Sequence, residues 1–285
     1  FRPDNVIKTD DPEKFREYIL RLGKAADKEI SCFETLVAAL DDRHAFFHSM
    51  GCRLSDHGSD RFYFSPCSPE EADKIFRALL NGKQMTADET EKYRTAILLE
   101  LCRMNHKRGW TQQFHVGAQR NNNSRMFRKM GPDTGWDSIG LPQDAIRMSR
   151  FLDALDDTDQ LAKTILYNLN PADNEMMITM AGNFNDGSRA VKVQYGAAWW
   201  FLDQKNGMEK HFRDLSSFGL LRRFVGMVTD SRSFLSFPRH EYFRRILCNF
   251  IGCEIEKGNI PDEDELVIPL IEGISYKNAK EYFEF

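Results

Sequence analysis

Nowhere in the 285 residues do two cysteines stand in a C-x-x-C pair; the six (Cys32, Cys52, Cys67, Cys102, Cys248 and Cys253) lie far apart. That spacing excludes a zinc knuckle and a thioredoxin-like redox pair. In a chain with enough core to need no staples, it predicts reduced, mostly buried thiols and a cytoplasmic protein. No block of basic residues stands alone, and Lys and Arg total 39 against 43 acids, so nucleic acid is not an expected partner. No apolar segment approaches the ~18 residues that would span a bilayer, so a membrane is not an expected partner either. The opening Phe1-Arg2-Pro3-Asp4 offers neither an initiator Met nor the apolar region of a signal peptide, and it reads as the middle of something longer. Internal repeats, low-complexity segments and clear linkers are lacking too. A single domain over residues 1–285 is the simplest reading.

What is present is a dense series of helix starts. Asp11-Pro12-Glu13 opens a helix whose Phe15, Tyr18, Ile19 and Leu22 fall at i, i+3, i+4 and i+7. Ser31 with Glu34, Ser68 with Glu71 behind Pro69, and Thr86 with Glu89 each have capping-box spacing. Short apolar runs alternate with the helices, at 52–56, 111–116, 164–169, 191–195 and 224–229. Strands alternating with helices predict βα units and a parallel sheet. A closed (β/α)8 barrel takes about 250 residues. Only five strands are evident, or six if "FRPDN" ends one, so either the sheet is open or preceding residues supply the rest.

Each run is followed by polar or glycine-containing sequence, which places the chemistry at one end of the sheet. The run Phe224 to Val228 has the unbroken apolarity of a strand buried on both faces, and it ends in Asp230, Ser231 and Arg232. An ion pair closing a strand end explains Asp230 and Arg232; so does an acid/base carboxylate beside a cation that stabilises developing charge on oxygen. His115 ends another run and could serve as metal ligand, acid/base or satisfied core histidine. The "RNNN" that follows supplies Arg120 and Asn121, residue types that read hydroxyls and carboxylates when they are not simply a solvated loop. Trp199 and Trp200 lie just past a strand, where an indole N–H can orient a sugar or merely fill the core. Asp56 and His57 sit at one more strand end. His44 and His48 have helical i, i+4 spacing but no H-E-x-x-H motif, so they are not expected to bind metal. Asp133, Thr134 and Asp137 look like turn chemistry and receive no role. "RHEYFRRILCNFIG" is a packing helix with Arg239, Arg244 and Arg245 exposed between its apolar positions.

Four stretches resemble the uronate isomerase (glucuronate isomerase) family: "GWTQQFHVGAQRNNNSRMFRKMGPDTGWDSIG", "NPADNEMMITMAGNF", "KVQYGAAWWFLDQKNGM" and "LLRRFVGMVTDSRSFLSFPRHEYFRRILCNFIG". The resemblance runs from "FRPD" to "YKNAKEYF". It implies a divergent amidohydrolase-superfamily enzyme: a (β/α)8 barrel of the metal-dependent hydrolase kind, with a divalent metal, usually zinc, at the C-terminal ends of its strands. The implied reaction interconverts D-glucuronate with D-fructuronate and D-galacturonate with D-tagaturonate through a cis-enediol. By the same resemblance Asp230 is the metal-linked acid/base, Arg232 its substrate arginine, His115 the histidine ending strand five, and Arg2 an arginine that helps hold substrate. Asn168 and Asn170 stand where hydrolases of the superfamily carry a histidine ligand.

One departure matters. The family's H-x-H metal motif and the tyrosine loop after it are not in this sequence. The chain therefore resembles the C-terminal part of the enzyme, about strands three or four to eight plus the C-terminal helices, with the N-terminal strands missing. Metal-dependent hydrolysis on the same barrel, with Asp230 as base for a bound water, is the competing chemistry. An inactive fragment that needs its N-terminal part is another. A homo-oligomer is compatible with each of them.

Overall fold

A computed structural model describes residues 1–231 and 233–284. Four strands, β1 (Leu54–Ser59), β2 (Thr111–Val116), β5 (Lys163–Asn168) and β6 (Val193–Tyr195), follow one another in the sheet order β1-β2-β5-β6. Two short strands, β3 (Ala118–Gln119) and β4 (Ser138–Ile139), pair antiparallel as a separate ribbon. The helices are α1 (Pro12–Ala26), α2 (Phe33–Ser49), α3 (Pro69–Leu80), α4 (Ala87–Lys107), α5 (Ser124–Met130), α6 (Ala145–Asp156), α7 (Asn174–Gly182), α8 (Lys205–Phe218), α9 (Pro238–Glu256), α10 (Asp264–Glu272) and α11 (Asn278–Phe283). This is an α/β fold of parallel strands.

The chain divides into two compact units: residues 1–113 with 144–164, and residues 114–143 with 165–285. In the first, Phe15, Phe76 and Tyr93 meet edge-on or stacked at 6.0 to 6.4 Å and anchor α1, α3 and α4. In the second, Phe212 of α8 packs against Phe243 and Phe250 of α9 at 5.5 and 5.6 Å.

Helix starts follow local chemistry. Asp11 caps α1 by accepting from Lys14 N, and Pro12 occupies the first position, where no N–H is needed. Thr86 and Glu89 form a complete capping box on α4. Ser68 caps α3, but Glu71 turns its carboxylate to Lys92 at 2.8 Å, so only half of that box forms. The expected Ser31–Glu34 box is not made. The hydroxyl of Thr35 accepts from both Ser31 N and Cys32 N, which makes Cys32 the cap of α2.

Strand limits differ from expectation where the backbone is committed elsewhere. β1 begins at Leu54 rather than Cys52, because Cys52 N closes the end of α2 on Phe47 O. β6 begins at Val193, since Val191 has φ +64° and cannot extend a strand. The run 224–229 is not a strand at all. Asn278 donates its side-chain N–H groups to the Arg222 and Phe224 carbonyls, and Gly226 at φ +84° lies so close to Ile274 O that a Cβ would come within 2.2 Å of it. The first carbonyl of the run is taken by Asn278, and the backbone at Gly226 turns where a strand would run straight.

All six cysteines are free thiols; Cys102 is buried, Cys248 exposed and the others half-buried, fewer inside than expected. No helix among the described residues is long and apolar enough to cross a membrane.

Candidate functional site

Several of the expected residues come together in the second unit. His115, near the end of β2, lies parallel to the Tyr167 ring of β5, with centroids 4.3 Å apart and planes 2° apart. Trp199 meets the same imidazole edge-on at 4.6 Å. The indole of Trp199 then donates Nε1–H to Asp230 Oδ2 at 3.3 Å. His115, Trp199 and Asp230 are thus linked through aromatic contact and one hydrogen bond. Trp199 is buried whereas Asp230 is exposed, so the carboxylate is reachable by a ligand. Arg232 lies outside the described residues.

Arg120 and Asn121 are placed by the two aspartates given no role above. Arg120 Nη1 contacts Asp133 at 3.1 Å and Asp137 at 3.2 Å, and its guanidinium lies 5.1 Å from the Trp200 ring centroid. The Asn121 N–H donates to Asp137 Oδ1 at 2.7 Å. The signal that could have found Asp137 is the pairing of "RNNN" with an acid in a glycine-rich turn after it.

Backbone conformation marks the same residues. Asn121 has φ +57°, Trp200 +51° and Asp230 +44°. Asn and Asp tolerate the left-handed region, but for a bulky aromatic residue it is a genuine outlier, costing about 1–3 kcal/mol. Such strain concentrates at ligand sites and persists only where surrounding contacts over-determine it.

The same unit holds a buried polar network. Asn168, at the end of β5, donates to Asn170 O at 2.7 Å and to Asn174 Oδ1 at 2.8 Å. The Tyr195 hydroxyl lies 2.9 Å from Asn168 Oδ1 and 2.8 Å from Asn174 Oδ1, and Asn174 donates to Asp214 at 2.7 Å. Burial pushes the Tyr195 phenol far above its ordinary value, so it keeps its proton. Asn170 donates to Gly140 O at 3.1 Å. His211 of α8 lies 2.6 Å from the Gly196 carbonyl and stacks on Tyr195 at 4.7 Å. Burial brings its pKa down to about 4, against the opposing pull of that carbonyl.

Arg2 belongs to the first unit. Asp4 accepts from Arg2 Nε at 3.1 Å and from Gly58 N at 2.9 Å, and lies 3.3 Å from His57 Nδ1. Burial by itself would raise the Asp4 pKa; the bonds from His57, Gly58 and Arg2 outweigh it and hold the carboxyl below its usual value. Arg2 also lies 3.4 Å from Asp56. His44 stacks on Trp110 at 3.7 Å with Nε2 3.0 Å from Asn105 Oδ1, while His48 Nδ1 accepts from the Trp110 indole at 2.9 Å. Both imidazoles are engaged with Trp110. Among the described residues, no cluster of three or more His, Cys, Asp or Glu side chains could hold a metal ion. Asp230 alone does not make a metal site, since a protein-bound zinc needs at least three protein ligands.

Residues 1–283 match the family described as glucuronate isomerase. The chain belongs to that family. It is 54% identical to the uronate isomerase of Flavobacterium johnsoniae and 52% identical to that of Bacteroides fragilis, in each case over 100% of this chain and 61% of the relative. The uronate isomerase of Thermotoga maritima superimposes with a TM-score of 0.91 at 33% identity, over 99% of this chain and 60% of that one. The glucuronate isomerase of Caulobacter crescentus gives 0.87 at 25% identity, over 99% and 57%. The chain therefore spans about 61% of the length of the curated relatives it matches. Its parallel strands and intervening helices are those of a TIM-type barrel, as in other glucuronate isomerase family structures.

Proposed function

We propose that the natural protein carrying these residues is a uronate isomerase, converting D-glucuronate to D-fructuronate and D-galacturonate to D-tagaturonate. Residues 1–285 are then the C-terminal part of one (β/α)8 barrel domain, and the free thiols suit the cytoplasm. What carries this reading is membership of the glucuronate isomerase family over residues 1–283.

In the proposed chemistry the open-chain uronate is bound near Asp230. Asp230 takes the proton from C2 while O1 gains one, giving a cis-enediol; O2 then loses its proton and Asp230 returns the first one to C1. The Trp199 indole, donating to Asp230 Oδ2, would orient the carboxylate and leave Oδ1 for the substrate proton. His115 is assigned to the proton traffic at the oxygens, and Arg232 to the charge that develops on the enediol. Arg120 and Asn121, and the faces of Trp199 and Trp200, would read the carboxylate and hydroxyls. A divalent metal, zinc in our reading, would polarise substrate oxygens when bound. Asp230 would be this chain's contribution to its ligands, and the H-x-H motif of the family is not in this sequence.

Asp230→Asn in the natural protein is expected to cut turnover of D-glucuronate at least about 100-fold, within the ~10² to 10⁴-fold range of general acid/base catalysis, with KM little changed. Near-normal turnover would remove Asp230 from the role.

A further inference from the structure

Two neighbouring segments carry left-handed residues in the second unit, Trp200 in one and Asp230 in the other, and both need something to hold them. A single side chain reaches both. Arg239, at the start of α9, donates Nη1–H to the Thr229 carbonyl at 2.6 Å, directly before Asp230. Its Nη2 forms an ion pair with Asp203, whose carboxylate is 2% exposed. Asp203 closes the turn that carries the tryptophans, with its N–H donating to Trp200 O at 3.1 Å and Leu202 N donating to Trp199 O at 3.0 Å. A second tie lies beside it, since Tyr242 of α9 accepts from Lys205 N at 2.9 Å.

The location of Arg239 argues that this is more than helix packing. A cation in the first turn of a helix opposes the macrodipole, so the position is a poor one for an arginine that only decorates a surface. Arg244 and Arg245 on the same helix are exposed as the periodicity predicts. Arg239 instead spans a buried carboxylate and a main-chain carbonyl, a geometry suited to the rigid planar fork of a guanidinium.

We infer that Arg239, anchored by Asp203, is a positioning residue that fixes the Thr229–Asp230 peptide against the Trp199–Trp200 turn, so that the bond from Trp199 Nε1 to Asp230 can form. The inference rests on the reading of Asp230 as acid/base, and acts on kcat through the aim of its carboxylate.

The test uses the natural full-length protein with D-glucuronate and compares Arg239→Ala, Arg239→Lys, Asp203→Asn and the Arg239→Ala/Asp203→Asn double variant. Misplacing a reacting group by about 1 Å costs on the order of 10²-fold, so Arg239→Ala is expected to lose about 10- to 100-fold in kcat with KM within about threefold. Asp203→Asn should lose a similar factor, and the double variant should be no worse than the worse single, because both changes break one linkage. Arg239→Lys should fall between wild type and Arg239→Ala. Guanidinium chloride at tens of millimolar should restore part of the Arg239→Ala activity where sodium chloride at the same concentration does not. An unchanged kcat in Arg239→Ala, losses that multiply in the double variant, or a lowered melting temperature without guanidinium rescue would each overturn the clamp. If Arg239→Ala does not fold, Arg239→Lys and Asp203→Asn decide between the same outcomes. Asp230→Asn separates the two readings: full activity in that variant defeats the acid/base assignment itself, whereas a dead Asp230→Asn beside a normal Arg239→Ala defeats only the clamp.

Discussion

Replacing Gly196 by Ala should damage both stability and turnover, for a reason that is entirely steric. Gly196 is not among the positive-φ glycines, so its backbone would accept a side chain without strain. Space is what is lacking: a Cβ would lie 2.3 Å from Tyr167 Cε1, 2.4 Å from Cδ1 and 2.7 Å from Cζ. To restore an ordinary contact of 3.4 Å the ring must move by about 1.1 Å. Tyr167 is 1% exposed and stacked on His115, so it cannot shift by that much without disturbing the stack in a close-packed interior. Overpacking of this kind costs about 1–3 kcal/mol. In a chain of this size that lowers the melting temperature by about 2–4 °C per kcal/mol. If His115 follows the ring by a comparable distance, turnover falls by on the order of 10²-fold. Differential scanning calorimetry and steady-state isomerase kinetics on the natural protein and its Gly196→Ala variant measure both effects. A variant that melts within 1 °C of the parent and turns over normally would refute the reasoning.

Two further outcomes follow from buried groups. Burial brings His44 and His211 from 6.5 down to about 4, so each is neutral in the fold while the unfolded chain protonates it near pH 6.5. Their contribution is fully present above pH 6.5 and is lost as the pH falls toward 4, by at most about 3 kcal/mol each; urea midpoints that stay level between pH 7 and 4.5 would contradict this. Tyr195→Phe removes the hydroxyl that serves Asn168 and Asn174 and leaves buried amide oxygen short of a donor, at a cost of about 1–3 kcal/mol in chemical denaturation; an unchanged midpoint would mean that the network does not depend on it.

Local rules were legible wherever local chemistry was decisive. β2 occupies 111–116 as its apolar run predicts, and the caps at Asp11 and Thr86 form because donor, acceptor and spacing all lie within four residues. The run 224–229 misled because apolarity reports burial and not hydrogen-bond pairing; its first carbonyl is taken by Asn278, 54 residues beyond Phe224, and its last by Arg239. Asp137 and Arg239 were missed for a related reason. Each does its work through a partner distant in sequence, Asp137 on Arg120 and Arg239 on Asp203 and Thr229, and periodicity is blind to such pairs. The grouping of His115, Trp199 and Asp230 was available only through likeness to a family, since no spacing rule joins three residues on three different segments.

The bonds from Asn278 also set an order of events during synthesis. At the head of the segment leading to Asp230, the Phe224 carbonyl waits for a side chain 54 residues downstream before it is satisfied. On a ribosome adding about 5–20 residues per second, that delay is roughly 3–11 s, long compared with the microseconds in which a helix forms. The helices of residues 12–107 can thus be complete while the carboxylate segment is still unanchored. The stretch that begins at Phe224 is tied down only once Asn278 has been made.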